Sequence, residues 1–552
     1  MNKLLPALAA GVLLAACKPA SSPGLAVFER FTYEGRDAVY AAHPLPGADA
    51  AYNPILPGWY SDPSICTNGE GDYFLVTSTF SYFPGVPLFH SRDLVNWKQV
   101  GHVLDRPSQL GLDRQRTRGG IYAPDIKYNP KNRTYYMITT NVGTGNFLVK
   151  TQDPFGPWSD PILLPQVQGI DPSLLFDDDG RAYIVNNDDA PGGRPEYDGH
   201  RTIRIVEYDV ENDCTIGERK VIVDKGADPS QKPIWIEGPH LYKIDGNYYL
   251  MCAEGGTEEG HSEVIFRSDT PMGVYKPWHR NPILTQRHLA ADRPNPVTCT
   301  GHADLVRTPE GTWWGVFLGC RPTERGFENL GRETFMLPVR WSEDGFPFFL
   351  SGEETVPMVV RHPGTTVGEA PAFGNFKWED SFDGDKLDLA WMTLRGPADG
   401  LFALKGGALE LLCSPARATR FETPALLLRR LQHHAFAVST RMRFTPAGEE
   451  AAGLLLYKDE RHQFFLKVCL QDGAPVIALE RTGVFLGGKP LPKDYDTIDL
   501  EVSSGDGLTF RFAYAVDGGE MQTFAEGVDA SYLSTAVAGG FTGTTIGPYA
   551  VK

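Results

Sequence analysis

One layout recurs five times in the first 350 residues. A polar residue stands beside a proline or a small residue, then come an apolar strand, a turn and an aromatic strand. Ser61-Asp62-Pro63-Ser64-Ile65 leads to Asp72-Tyr73-Phe74-Leu75-Val76, and Pro124-Asp125-Ile126-Lys127-Tyr128 leads to Thr134-Tyr135-Tyr136-Met137-Ile138. Ile170-Asp171-Pro172-Ser173-Leu174 leads to Arg181-Ala182-Tyr183-Ile184-Val185. Glu237-Gly238-Pro239-His240-Leu241 leads through Asp245-Gly246 to Asn247-Tyr248-Tyr249-Leu250, and Gly301-His302-Ala303-Asp304-Leu305 leads to Trp313-Trp314-Gly315-Val316. Asp-Gly between such runs is a hairpin signal. The leading residues 62, 125, 171, 237 and 302 are 46 to 66 apart. That spacing holds one four-stranded blade, so the expected fold is all-β, a five-bladed β-propeller.

In a propeller the innermost strands start at the central channel. Asp62, Asp125, Asp171, Glu237 and His302 are therefore expected to converge on one mouth. Four carboxylates in one pocket repel one another and raise at least one pKa. A lone Asp-Pro is ordinarily a turn or strand start; recurrence at one rank points to a shared site.

The chain is long for one core, and its 552 residues suggest two domains. The net charge of −17 argues against a nucleic-acid or anionic-membrane partner. Lys3 with the apolar run Leu4 to Ala16 reads as a signal peptide, too short to span a bilayer as a mature helix. Leu14-Ala15-Ala16-Cys17 has the form of a bacterial lipobox. Residues 1–17 are thus expected to be a leader, with a lipid anchor at Cys17. The expected location is the cell envelope, periplasmic or on the outer-membrane face, or secreted if Cys17 is not lipidated. The other seven cysteines are an odd set without a C-x-x-C pair, which indicates neither a disulfide framework nor a zinc site.

Residues 18–50 read as a tether and leading segment that either adds a strand to the propeller or does not. The propeller is expected over 51–350. Within it, Thr77 to Pro87 is a loop rich in aromatics, and Phe80 and Tyr122 are candidate sugar platforms. The run Phe176 to Gly180 has the acids of a calcium loop but falls where every repeat has its turn. Asp188, Asp189 and Glu196 lie in a long polar loop and are expected to be solvated. Residues 351–372 read as a linker. From 373 to 552 short alternating strands such as Ala435 to Met442 and Phe464 to Val468 indicate a β-sandwich.

The ordered series of motifs resembles glycoside hydrolase family 43, in its β-xylosidase and α-L-arabinofuranosidase branch with a concanavalin-like C-terminal sandwich. The matching stretches are Asn53 to Ser64, Ser78 to Pro87, Ala123-Pro124-Asp125, Ile170 to Ser173, Ile236 to Tyr242, Thr300 to Val306 and Leu330 to Thr334. The resemblance implies Asp62 as general base, Glu237 as general acid and Asp171 as the carboxylate that tunes the acid. The repeats alone leave Asp125 and Asp171 level for that third role. The resemblance also implies that Arg332 reaches the sugar, and that His302 lies at the channel centre, in some members beside calcium. No cofactor is otherwise expected. The implied reaction is exo-acting, inverting release of β-D-xylose or α-L-arabinofuranose from hemicellulose oligosaccharides, with the choice of sugar left open. Inversion needs one carboxyl to protonate the leaving oxygen and another to activate water on the opposite face. The rivals are a retaining five-bladed fructoside hydrolase and a glycan-binding surface lipoprotein that cleaves nothing. Finally, the glycine- and threonine-rich stretch Gly539 to Tyr549 is expected to close over the propeller mouth; its alternative is the sandwich's last strand.

Overall fold

The computed structural model describes residues 24–47, 49–362 and 373–552. Cys17 and the second half of the expected linker lie outside them. No described helix is long and apolar enough to cross a membrane.

Five antiparallel sheets form the propeller. The first blade runs Ser64–Thr67, Tyr73–Val76, Gly85–Ser91 and Lys98–Leu104. The second starts at Ile121–Asn129, the third at Ile170–Phe176, the fourth at Glu237–Ile244 and the fifth at Thr298–Arg307. The fifth has only three strands of its own. The segment after residue 52 completes it: Leu56 bridges Thr334, and the Asn53 side-chain amide both donates to Met336 O (2.9 Å) and accepts from Met336 N (3.0 Å). An amide side chain thereby supplies the two bonds a strand backbone would make, and the ring closes.

The leading segment does not join that closure. Leu25–Gly35 is a central strand of the C-terminal sandwich, between Leu409–Leu412 and Phe436–Arg443. Its buried positions alternate, shifted once by a bulge between Phe28 and Arg30. Ala26, Phe28, Phe31 and Tyr33 enter the sandwich core. Alternation of this kind fixes which face a strand buries, but not which sheet it enters. Ala50–Tyr52 pairs with Val359–Arg361, so the expected linker contains a short strand.

The sandwich stacks the Leu25–Gly35 sheet on a second one centred on Ala451–Asp459, Thr545–Val551 and His462–Gln471. Ala451–Asp459 is buried on both faces. Ala452, Leu454 and Leu456 face the sandwich core. Ala451, Leu455 and Tyr457 pack with Trp59, Phe80 and Tyr82 of the propeller. The interface is thus a hydrophobic core in its own right, and truncating a side chain such as Leu455 to Ala costs about 2–5 kcal/mol. Thr393–Leu394 adds a strand pair to Tyr82–Phe83 across the boundary. Arg430 stacks on Trp59 and Tyr60 and donates to Trp59 O (2.8 Å).

Candidate active site

The innermost strands of blades two to five break register near the channel mouth. The breaks fall between Tyr122 and Asp125, Ile170 and Ser173, Glu237 and His240, and Gly301 and Asp304. In the first blade Ser61 O accepts from Ser78 N, and pairing resumes at Ser64. The residue inside each break has positive φ: Asp62 (53°), Ala123 (35°), Asp171 (54°), Gly238 (53°) and His302 (53°). Such backbone is costly for a side chain other than glycine and persists only where its surroundings fix it. A proline follows in four of the five, which disfavours right-handed helical backbone at the residue before it.

This aligns the blades differently from the sequence reading. Asp62, Asp171 and His302 share one position, Glu237 lies one residue earlier, and Asp125 two residues later. Asp62, Asp171, Glu237 and His302 all line one cavity of about 1250 Å³ at the propeller mouth. Asp125 does not. It sits one layer deeper, 1% exposed, beside Ser64, His240 and Asp304. Lys127 Nζ reaches Asp125 at 3.0 Å and Asp304 at 2.9 Å. Asp125 therefore props the channel and makes no part of the pocket wall. A bulge shifts the register by a residue, which a count of positions from the proline does not reveal.

Among the described residues no lysine stands between the pocket carboxyls; the basic groups that act on them most strongly are His302 and Arg332. Asp62 Oδ2 accepts the Ser78 hydroxyl at 2.5 Å, and Ser78 Oγ in turn accepts from Ala123 N at 2.7 Å, so two blades fix the aspartate. His302 Nδ1 stands 3.6 Å from Asp62 Oδ1. Asp171 N donates to Thr140 Oγ1 (3.1 Å), and Asp171 Oδ2 accepts Gly238 N (3.1 Å), the residue next to Glu237. Gly238 must be glycine: a Cβ there would stand 2.8 Å from the His302 ring. Burial, and then the charge of Asp62, push the Asp171 carboxyl up against the opposing pull of His302. Burial first and the Asp171 charge second push Glu237 up to about 8, although Arg332 pulls it down. Glu237 is thus a protonated acid at neutral pH.

Aromatic rings wall the pocket. Phe80, from the first-blade loop, meets Tyr122 edge-on at 5.5 Å and stacks with Phe541 at 6.2 Å. Phe80 is only 1% exposed, so it backs the wall more than it offers a face. Phe541 comes from the sandwich, with Thr535 to Gly539 beside it on the rim. The Arg332 guanidinium lies over the Phe541 ring at 4.8 Å. A Cβ on Gly543 would fall 2.1 Å from Leu330 O, so this glycine lets the two domains touch backbone to backbone. The stretch from 539 divides: its start lines the pocket, and Thr545–Val551 is a sandwich strand. Ser78, Thr140 and Phe541 escaped the sequence reading. Ser78 lies in the quoted aromatic loop, and Phe541 is the first aromatic in the glycine-rich stretch; these were the available signals.

Calcium needs six to eight oxygen ligands. Around His302 the structure offers chiefly Asp62, the pocket's own carboxylate. The deeper trio Asp125, His240 and Asp304 brings ligand atoms within 4.8 Å of one another, but the Lys127 ammonium already meets its charge. Neither set fits a protein-built calcium cage.

Residues 51–347 match the glycosyl hydrolases family 43, and residues 379–552 match the β-xylosidase C-terminal concanavalin A-like domain. The chain belongs to glycosyl hydrolases family 43. It is 38% identical over 515 residues to a "Xylosidase/arabinosidase" of Butyrivibrio fibrisolvens, across 91% of this chain and 95% of that one. It is 35% identical over 514 residues to a "Non-reducing end alpha-L-arabinofuranosidase" of Bacteroides ovatus, across 90% of each. A crystal structure of a family 43, subfamily 12 protein retrieved from a capybara gut metagenome superposes with a TM-score of 0.90 at 44% identity, covering 96% of this chain and 99% of that one. The family 43 chain is a glycosidase with a five-bladed propeller and a concanavalin-like sandwich.

Proposed function

We propose that the protein is an exo-acting, inverting glycosidase that releases β-D-xylose or α-L-arabinofuranose from the ends or branches of hemicellulose oligosaccharides. Glu237 carries this reading. Its proton is retained up to about pH 8, in a pocket that also holds Asp62. Glu237 gives that proton to the leaving oxygen, and Asp62, fixed by Ser78, takes one from the attacking water. Asp171 keeps the Glu237 proton in place by like-charge repulsion. Arg332 and the rings of Tyr122 and Phe541 orient the terminal sugar. The sandwich wall at Thr535 to Phe541 supports action on chain ends, because a polymer cannot thread past it. The relatives' names include both xylosidase and arabinofuranosidase and support both sugars. For location, the lipobox at Cys17 supports anchoring in the cell envelope.

Nitrophenyl β-D-xyloside and α-L-arabinofuranoside, assayed side by side, test the sugar. Proton NMR of the first-formed product tests the stereochemistry. We expect the configuration opposite to the substrate's; retention overturns the assignment of Asp62 to water. Loss of labelling by radioactive palmitate in Cys17→Ser tests the anchor.

A further inference from the structure

Trp235 is 39% exposed and has φ of 52°. A bulky residue in left-handed backbone is an outlier, and an exposed tryptophan gains little burial to offset it. The surroundings nevertheless fix it. Trp235 N donates to Gly199 O at 2.8 Å, and the Arg201 guanidinium lies 5.1 Å from the ring centroid. Arg201 in turn donates to Asn187 Oδ1 (2.7 and 3.1 Å) and pairs with Asp189. Asn187 Nδ2 closes the loop on Ile236 O at 2.6 Å. The indole is therefore held in place on the protein surface.

It is also a shared wall. Trp235 lines the catalytic cavity, and it lines a second cavity of about 600 Å³ formed by Asp189 to Arg201. That volume is in the range of ligand-sized pockets. The second cavity is built from the long polar loop that the sequence suggests is merely solvated. Asp188 is in fact buried against Arg204 and Arg219, which anchors the loop's base. Tyr197 stacks on His200 at 5.3 Å and donates to Pro233 O (2.8 Å), tying the loop to the segment that carries Trp235.

The side of the scissile bond follows from the chemistry. A general acid stands on the leaving-group side. Trp235 lies two residues before Glu237, and the Arg201 charge is close enough to pull the Glu237 carboxyl down. Whatever the second cavity holds therefore belongs to the leaving group. Its acids are Asp189, Glu196 and Asp198, and its aromatics are Trp235 and Tyr197. Asp189 is met by Arg201 and Glu196 by Lys225. The mixture suits a neutral sugar, with a ring face on the indole and hydroxyls on the carboxylates. We infer that this second cavity is a binding site for a neutral pyranose unit of the leaving-group oligosaccharide, reached across Trp235. The inference rests on the glycosidase reading above and names the substrate feature it selects: length beyond the bond cleaved.

The test uses the full chain. Linear β-1,4-xylo-oligosaccharides of two to four units and arabinofuranose-substituted xylotriose are compared with the nitrophenyl glycosides. We expect KM to fall about 5- to 10-fold from the shortest to the longest substrate, the size of one aromatic stacking contact, with kcat little changed. Trp235→Ala should remove that length dependence and Trp235→Phe should keep it. Each variant's KM on the nitrophenyl glycoside serves as its own reference and reports folding. Calorimetry with xylotetraose in the Asp62→Asn background, with and without Trp235→Ala, gives an arm independent of which sugar is released; we expect about 5- to 10-fold weaker binding. If neither nitrophenyl glycoside is cleaved, the function reading falls and the calorimetry still decides the site. Length dependence absent from the wild type, or unchanged in Trp235→Ala together with unchanged xylotetraose binding, overturns the inference.

Discussion

Two sets of carboxylates lie along the propeller axis, one at the mouth from blades one, three and four and one a layer deeper from blades two and five, and they behave in opposite ways. In the upper set burial raises both Asp171 and Glu237, with the charge of Asp62 adding to the first and that of Asp171 to the second. In the lower set burial pushes Asp304 up, but His240, Lys127 and the hydroxyls of Tyr242 and Ser64 outweigh it and hold the carboxyl below its usual range. Tyr242 OH donates to Asp304 at 2.5 Å and Ser64 Oγ at 2.7 Å. The residue types are the same and both sets are buried. The difference is the balance against burial: His240, the Lys127 ammonium and two hydroxyls outweigh it below, whereas His302 and Arg332 do not outweigh it above. Where burial is outweighed the aspartates become struts; where it is not, the carboxyls become acids and bases.

The comparison breaks if substitutions in the two sets have similar effects. The largest change in activity is expected above. Asp62→Asn and Glu237→Gln should each lower kcat by about 10²–10⁴-fold. Thermal unfolding should stay at or above the wild-type midpoint, because Asp62→Asn removes a like charge from the pocket and Glu237→Gln replaces a carboxyl that is already neutral. A dinitrophenyl leaving group, which needs no proton, should restore much of the Glu237→Gln rate and none of the Asp62→Asn rate. Equal rescue would interchange or dissolve the two roles.

Below, the effect should move to stability. Lys127→Met leaves Asp125 and Asp304 without their ammonium, and breaking such a buried pair costs about 3–5 kcal/mol. Calorimetric unfolding should show the loss, while the folded fraction keeps kcat within a few-fold. A variant that melts like the wild type but is inactive would place Lys127 in the chemistry. A smaller effect is expected at the domain boundary. Phe541→Ala removes the ring between Phe80, Tyr122 and Arg332, and should raise KM about 2- to 12-fold at little cost in kcat. An unchanged KM would make the sandwich a bystander to binding.

Much of this was readable in the sequence, for local reasons. Hairpin turns, aromatic return strands and X-Pro starts are encoded within a dozen residues, so the five blades are plain. The bulges are not. Asp125 and Asp171 look equivalent because both stand beside proline, yet Asp125 follows its proline and Asp171 precedes its own. Lys127 carries no mark that it lies on the axis, since its partners are Asp125 and, far along the chain, Asp304. Leu25–Gly35 is readable as an alternating strand, but its neighbour Phe436–Arg443 is about 400 residues away. Phe541 reaches the pocket only through the packing of one domain on the other.

The pH dependence of kcat/KM tests the central claim most directly, because it reports the protonation of the free enzyme. A raised pKa means that the acid form is present below it and lost as pH rises through it. With a leaving group that needs protonation, the wild type should lose activity along an alkaline limb centred at about 8. Asp171→Asn removes a charge that raises Glu237, so its limb should move to lower pH. A limb that stays in place in Asp171→Asn, or that persists in Glu237→Gln, would contradict the account.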